Sequence, residues 1–273
     1  MRNIKIALLT VLLLAVMPWA LSGCGKESTA KGLVLKAAAA IEKISTYKVD
    51  KNITVDFIKF SGSFNPDENQ YSGTTIWHEQ GSYDIENKKM TSSYSERFAT
   101  NHVLDTITTP IDSESYIIGN FDYMKSISPG GGHWTKTPIM NQNLPDYKFQ
   151  QQSILDFLTT AARISLTGIE YVDGIDCYIL YVQPSRAACA NWSFNVTGPH
   201  SDPAAMTNNY RNSWINLWLS RDSYRIIKAD INLYFSDNDN LQNIVFHGQI
   251  HFCDYDQPFS IDLPQEALNA KEY

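Results

Sequence analysis

Apolar and polar residues fall into three regimes along this chain. The first is an almost unbroken apolar run over 6–21, preceded by Arg2 and Lys5. The second is helical. In 33–45, Leu33, Ala37, Ala40, Ile41 and Ile44 recur every three or four residues, and in 149–165 Ile154, Phe157, Leu158, Ala161 and Ile164 do the same. Each spacing predicts a helix with one apolar stripe, the second stopped by Gly168. The third regime has a period of two, which is the signature of a half-buried strand. Tyr47, Val49, Ile53, Val55 and Phe57 take one face of a long strand, with Lys48, Asp50, Asn52, Thr54 and Asp56 on the other. Further strands are predicted over 71–80, 88–98, 103–108, 116–126, 169–172, 177–182, 214–219 and 224–235. In the 224–235 strand, Ile227, Ala229, Ile231, Leu233 and Phe235 alternate with polar neighbours. A last strand sets Ile244, Phe246, Ile250 and Phe252 against His247, Gln249, His251 and Cys253. Turn residues separate these pieces at 65–69, 84–87, 221–223 and 236–240, and Asp173-Gly174 is a strong hairpin signal. Residues 184–213 fit neither period and read as an irregular lobe.

About ten strands and two helices follow from this pattern. Clean alternation gives each strand one dry and one wet face. Two helices then have to cover most of the dry side, and twist makes so wide a sheet curl. The expected fold is α+β: a strongly curved antiparallel half-barrel of about ten strands wrapped around a few helices. A single domain over 33–273 accommodates it.

The apolar run is too short for a comfortable membrane span and carries the flanks of a secretory signal. It ends Leu21-Ser22-Gly23-Cys24, and a small residue followed at once by cysteine resembles the bacterial lipobox. That resemblance implies cleavage after Gly23, a diacylglyceryl group on the Cys24 thiol and acylation of the new amine. A plain secretory signal with a chance cysteine is the competing reading. Residues 1–23 are then the signal peptide, and 24–32 the polar tether. Two or three acyl chains anchor firmly where one is marginal. The implied location is extracytoplasmic, lipid-anchored to the cell membrane or the outer membrane.

Charge narrows the partners. Removing the signal leaves 20 basic against 29 acidic residues, a net charge of −9, with no basic stripe. The chain therefore lacks the basic face that a nucleic-acid partner requires, and anionic headgroups repel such a body. Membrane contact falls to the N-terminal lipid anchor alone. A chain of about 250 mature residues buries enough surface to fold without metals or disulfide staples.

Several stretches resemble the Lol-type lipoprotein-carrier superfamily. They are the lipobox, the alanine-rich helix ending Ile44-Ser45-Thr46-Tyr47, the 172–178 hairpin, the 218–228 strand pair and the ending Phe252-x-x-Tyr255-Asp256-x-Pro258-Phe259-x-Ile261-x-x-Pro264. The ending is closest to the branch that contains the LppX/LprG lipid-binding lipoproteins. The resemblance implies a LolA-like fold whose bent sheet and helices enclose a cavity for acyl chains. Under it, Ile154, Phe157, Leu158 and Ala161 on the second helix, with Val55, Phe57, Ile231, Leu233 and Phe246 on the sheet, line the ligand site. The alternative on the same fold is an envelope sensor or structural lipoprotein with a filled interior and a protein partner.

No catalytic motif is present: neither Gly-x-Ser-x-Gly nor His-Glu-x-x-His occurs, and Gly130-Gly131-Gly132 runs into His133-Trp134 rather than Gly-Lys. The chain reads as a binding protein without a cofactor. Asp237-Asn238-Asp239-Asn240 lacks the glycine and the acidic residue that a calcium loop needs at 242 and 248. His247 and His251 share a strand face but stand about 13 Å apart, too far for one metal. Cys177, Cys189 and Cys253 are three further thiols. A Cys177–Cys189 disulfide would pin the irregular lobe to the hairpin and contribute about 3 kcal/mol.

Overall fold

The computed structural model describes residues 29–60, 70–100, 111–127, 132–139, 149–185, 188, 212–237 and 242–272. The expected signal peptide, Cys24, the predicted 103–108 strand, Cys189 and most of the 184–213 lobe lie outside them. The described elements run α1 (Ala30–Ile41), β1 (Thr46–Phe60), β2 (Gln70–Asp84), β3 (Lys89–Thr100), β4 (Ile111–Ile118), β5 (Phe121–Ile127), β6 (Trp134–Pro138), α2 (Phe149–Thr159), β7 (Arg163–Val172), β8 (Ile175–Gln183), β9 (Trp214–Ser220), β10 (Ile226–Asp237), β11 (Gln242–Cys253) and β12 (Lys271–Glu272).

These twelve strands form one curved sheet in the order β12-β6-β5-β4-β3-β2-β1-β11-β10-β9-β8-β7. Two antiparallel meanders build eleven of the strands, and the short β12 pairs parallel with β6. β1 to β6 step outward in one direction, and β7 to β11 step back from the opposite edge until β11 pairs with β1. The chain must therefore cross from one edge of the sheet to the other between β6 and β7, and α2 lies in that crossing.

Local chemistry sets the turns. Asp173 (φ 49°) and Gly174 (φ 85°) both occupy the left-handed region, which is the I′ hairpin that Asp-Gly favours. The 116–126 stretch is two strands rather than one: Gly119 (φ 61°) and Asn120 make a tight two-residue turn between β4 and β5. The first helix starts earlier than its apolar stripe predicts. Thr29 caps it, its hydroxyl accepting from Gly32 N at 3.1 Å, so the helix takes three residues from the expected tether. The second helix ends earlier than predicted. Ile164 and Ser165 belong to β7, and Gly168 sits at a register shift inside that strand instead of stopping the helix.

One core lies on the inner face. Leu33, Val34, Ala37 and Ile41 of α1 and Ile154, Leu155, Phe157 and Leu158 of α2 join the inward residues of β1, β2 and β8–β11 in one buried cluster. Tyr47 and Tyr83, opposite each other in the register, stack with centroids 4.7 Å apart. A bulge re-aims part of β10. The register shifts between Ile226 and Lys228, so Ile226 packs inward while Ile227 joins Cys177 and Trp218 in a small cluster on the outer face. Simple alternation assigns Ile227 to the inner face; the bulge reverses it.

The ending that carries the resemblance is a packing device. Phe252 is buried in the core, and the Tyr255 hydroxyl donates to Ile226 O. Asp256 accepts from Ser45 N and Ser45 Oγ, both at 2.9 Å, and pairs with Arg225. The end of β11 is thus tied to the junction between α1 and β1.

Candidate ligand-binding site

The apolar stripe of α2 is the starting point. Ile154, Phe157 and Leu158 are each 2% exposed, and they share one cluster with Ile231, Leu233 and Phe246 of the sheet. Fully burying side chains of this size contributes about 1.5–3 kcal/mol each. Val55 and Ala161 pack against the same cluster while half-buried, Ala161 just beyond the helix end. Phe57 pairs across the ladder with Ile244 and Gly73; its side chain lies outside the described residues. The topology therefore brings eight of the nine expected residues to one side of the sheet.

Around this patch the inner face changes character. Lys51 is 4% exposed, and its Nζ lies 2.7 Å from Glu79 Oε2 on the neighbouring strand. Burial lowers the Lys51 pKa, against the opposing pull of Glu79. Glu79 Oε1 accepts a long hydrogen bond from the Tyr83 hydroxyl at 3.4 Å. Directly opposite Glu79 on β3, Tyr94 donates to Glu96 Oε2 at 2.6 Å. Burial, first, and Glu96, second, push the Tyr94 pKa beyond the usual phenol range. Trp77, whose Nε1 is buried without a hydrogen-bond partner, packs against the core beside this group. Listing only the apolar positions of β1 steps over Lys51; strict alternation from Val49 to Ile53 makes it inward-facing.

The thiols sit elsewhere. Cys177 is a free, buried thiol on the outer face, and burial, reinforced by Asp176, Glu170 and Asp173, pushes its pKa up to about 11. Such a thiol is a poor nucleophile at neutral pH. Its expected partner, Cys189, is outside the described residues. Cys253 is exposed and free. Among the described residues no His, Cys, Asp and Glu side chains gather in a metal-binding group. No described helix is long and apolar enough to cross a membrane. Among the described residues, two grooves lie on the outer face of the sheet. One of about 380 Å³ is lined among others by Lys48, Asp50, Gln80, Ser93 and Glu114.

No family model and no curated protein matches this chain. Among solved structures it is similar to LprF from Mycobacterium bovis, at 10% identity and a TM-score of 0.47, covering 86% of this chain and 96% of that one. It is also similar to the lipoprotein LppX from Mycobacterium tuberculosis, at 12% identity and a TM-score of 0.41, covering 85% and 98%. A putative outer membrane lipoprotein-sorting protein domain from Vibrio parahaemolyticus matches at 10% identity and a TM-score of 0.23, covering 90% and 97%.

Proposed function

We propose that this chain is a membrane-anchored extracytoplasmic lipoprotein that binds a lipid or another hydrophobic molecule between the inner face of its sheet and α2. The reading is of a binding protein and not of an enzyme. One observation carries it. The inner face is apolar across β8–β11, β1 and part of β2, and its described helical cover is two helices of 12 and 11 residues. Alanines fill much of α1 and offer little volume. α2 supplies the larger side chains and lies in a crossing connection, which a ligand can displace more readily than a strand. Every methylene that leaves water for this face gains about 0.8 kcal/mol.

Replacing Leu158 with Trp tests the reading by filling space instead of opening it. A fluorescent fatty acid should lose binding to the variant, which should keep a cooperative thermal transition at a midpoint lowered by a cost of about 1–3 kcal/mol for the larger side chain. Undiminished binding by Leu158→Trp contradicts the site. The sensor or scaffold alternative gains if neither protein binds the probe.

A further inference from the structure

We propose a second binding site, for a short uncharged oligosaccharide, on the outer face of the sheet opposite the core. A groove of about 330 Å³ crosses β2, β1, β11, β10 and β9 there, a volume at the lower end of small-molecule sites. Its construction follows from the register. Ile76, Thr54, His247, Asn232 and Trp214 are successive cross-strand partners, and so form one row over five strands. Asn52, Gln249 and Asp230 form the row beside it. Both rows have the parity that points away from the core.

The two rows differ from an ordinary solvated face. Their ends are apolar: Ile76, half exposed, closes one end, and Trp214 the other, four strand spacings or about 19 Å away. Between them stand amides, an imidazole, a hydroxyl and one carboxylate. One of them is already held in place. Asn52 donates to Asp50 Oδ1 at 3.1 Å, and its Oδ1 lies 2.8 Å from His78 Nδ1.

One acceptor beneath the groove is left over. Asn232, in the same row but under the lining residues, is only 9% exposed, and its Oδ1 is buried without a hydrogen-bond partner. Asp230 Oδ1 beside it is also buried, but Lys228 Nζ, 3.4 Å away, is its ion-pair partner. A buried acceptor without a donor costs about 1–3 kcal/mol. A ligand that brings hydroxyl donors removes that cost. His247 and Gln249, which flank these oxygens in the register, are exposed and can turn aside to admit it.

This set of groups selects its ligand class. Among the groove's lining residues there is no Lys or Arg, so a phosphate or sulfate finds no counter-charge. Planar amide and carboxylate groups match adjacent sugar hydroxyls in pairs, and an indole offers an apolar surface to the C–H face of a pyranose. The groove's length suits two or three sugar units.

The test is calorimetric titration of the purified protein with maltose, cellobiose and N,N′-diacetylchitobiose. Saturable binding of at least one is expected. Trp214→Ala and Gln249→Ala should each weaken it by about tenfold or more, with fluorescent fatty-acid binding unchanged. If Trp214→Ala fails to fold, Gln249→Ala and His247→Ala, both at exposed positions, carry the test. Absence of saturable heat with all three sugars overturns the proposal, and so does undiminished binding by the variants.

Discussion

Lys51 is the residue at which the inner face stops being uniformly apolar. A lysine with so little access to water is costly unless paired, and Glu79 supplies the pair at 2.7 Å. The two partners are not equivalent, because Glu79 keeps more water access than Lys51. Glu79→Gln should strand a buried cation and cost about 3 kcal/mol at neutral pH. Lys51→Met should cost less, and the double variant should recover most of the loss. Linkage fixes the pH dependence. The folded-state pKa of Lys51 lies below its unfolded value, so the unfolded chain holds its proton at alkaline pH where the folded one releases it. Stability of Glu79→Gln therefore rises with pH toward the unfolded lysine pKa. Urea unfolding of the four proteins at two pH values measures this. Equal costs for the two single variants would contradict the pairing.

At the scale of elements, the joints matter more than the strands. Asp256 ties the end of β11 to Ser45, between α1 and β1. Burial would raise its pKa, but the Ser45 hydrogen bonds and Arg225 outweigh that and hold it below 3.8, the ordinary value. A depressed carboxylate contributes stability above its unfolded pKa and loses it as pH falls through the folded one. Asp256→Asn should cost about 1 kcal/mol at neutral pH, near the low end for charged hydrogen bonds because the group is partly exposed. The difference from the parent should shrink below pH 3.8; thermal melts at pH 7 and pH 3 would show it, and a constant difference would contradict it. Much at this scale was legible in the residues. Period two located β1, β10 and β11, and Asp173-Gly174 announced its hairpin through the φ values it can adopt. Other features depend on partners that a linear pattern does not display. The bulge that turns Ile227 outward exists only relative to β9. The early end of α2 has the same cause, since Ile164 fits a helical stripe but is claimed by pairing with Val182. At the site, the stripe of Ile154, Phe157 and Leu158 was readable from spacing, whereas the row from Ile76 to Trp214 needed the register of five strands.

The whole molecule presents two faces of opposite chemistry, an inner one built to stay dry and an outer one rich in hydrogen-bonding groups. The proposed anchor at Cys24 would hold both at a membrane surface. Cys24→Ala should yield a precursor without lipid that leaves the membrane fraction after the signal is removed or blocked. Metabolic labelling with a fatty acid reads this, and lipid label on the variant would contradict the anchor. The central claim is the hydrophobic ligand. Native mass spectrometry of the protein extracted from its own membrane tests it most directly. The account predicts a non-covalent adduct, of lipid or other hydrophobic mass, that is released on activation and is absent from Leu158→Trp. A bare polypeptide carrying only its covalent anchor would contradict it.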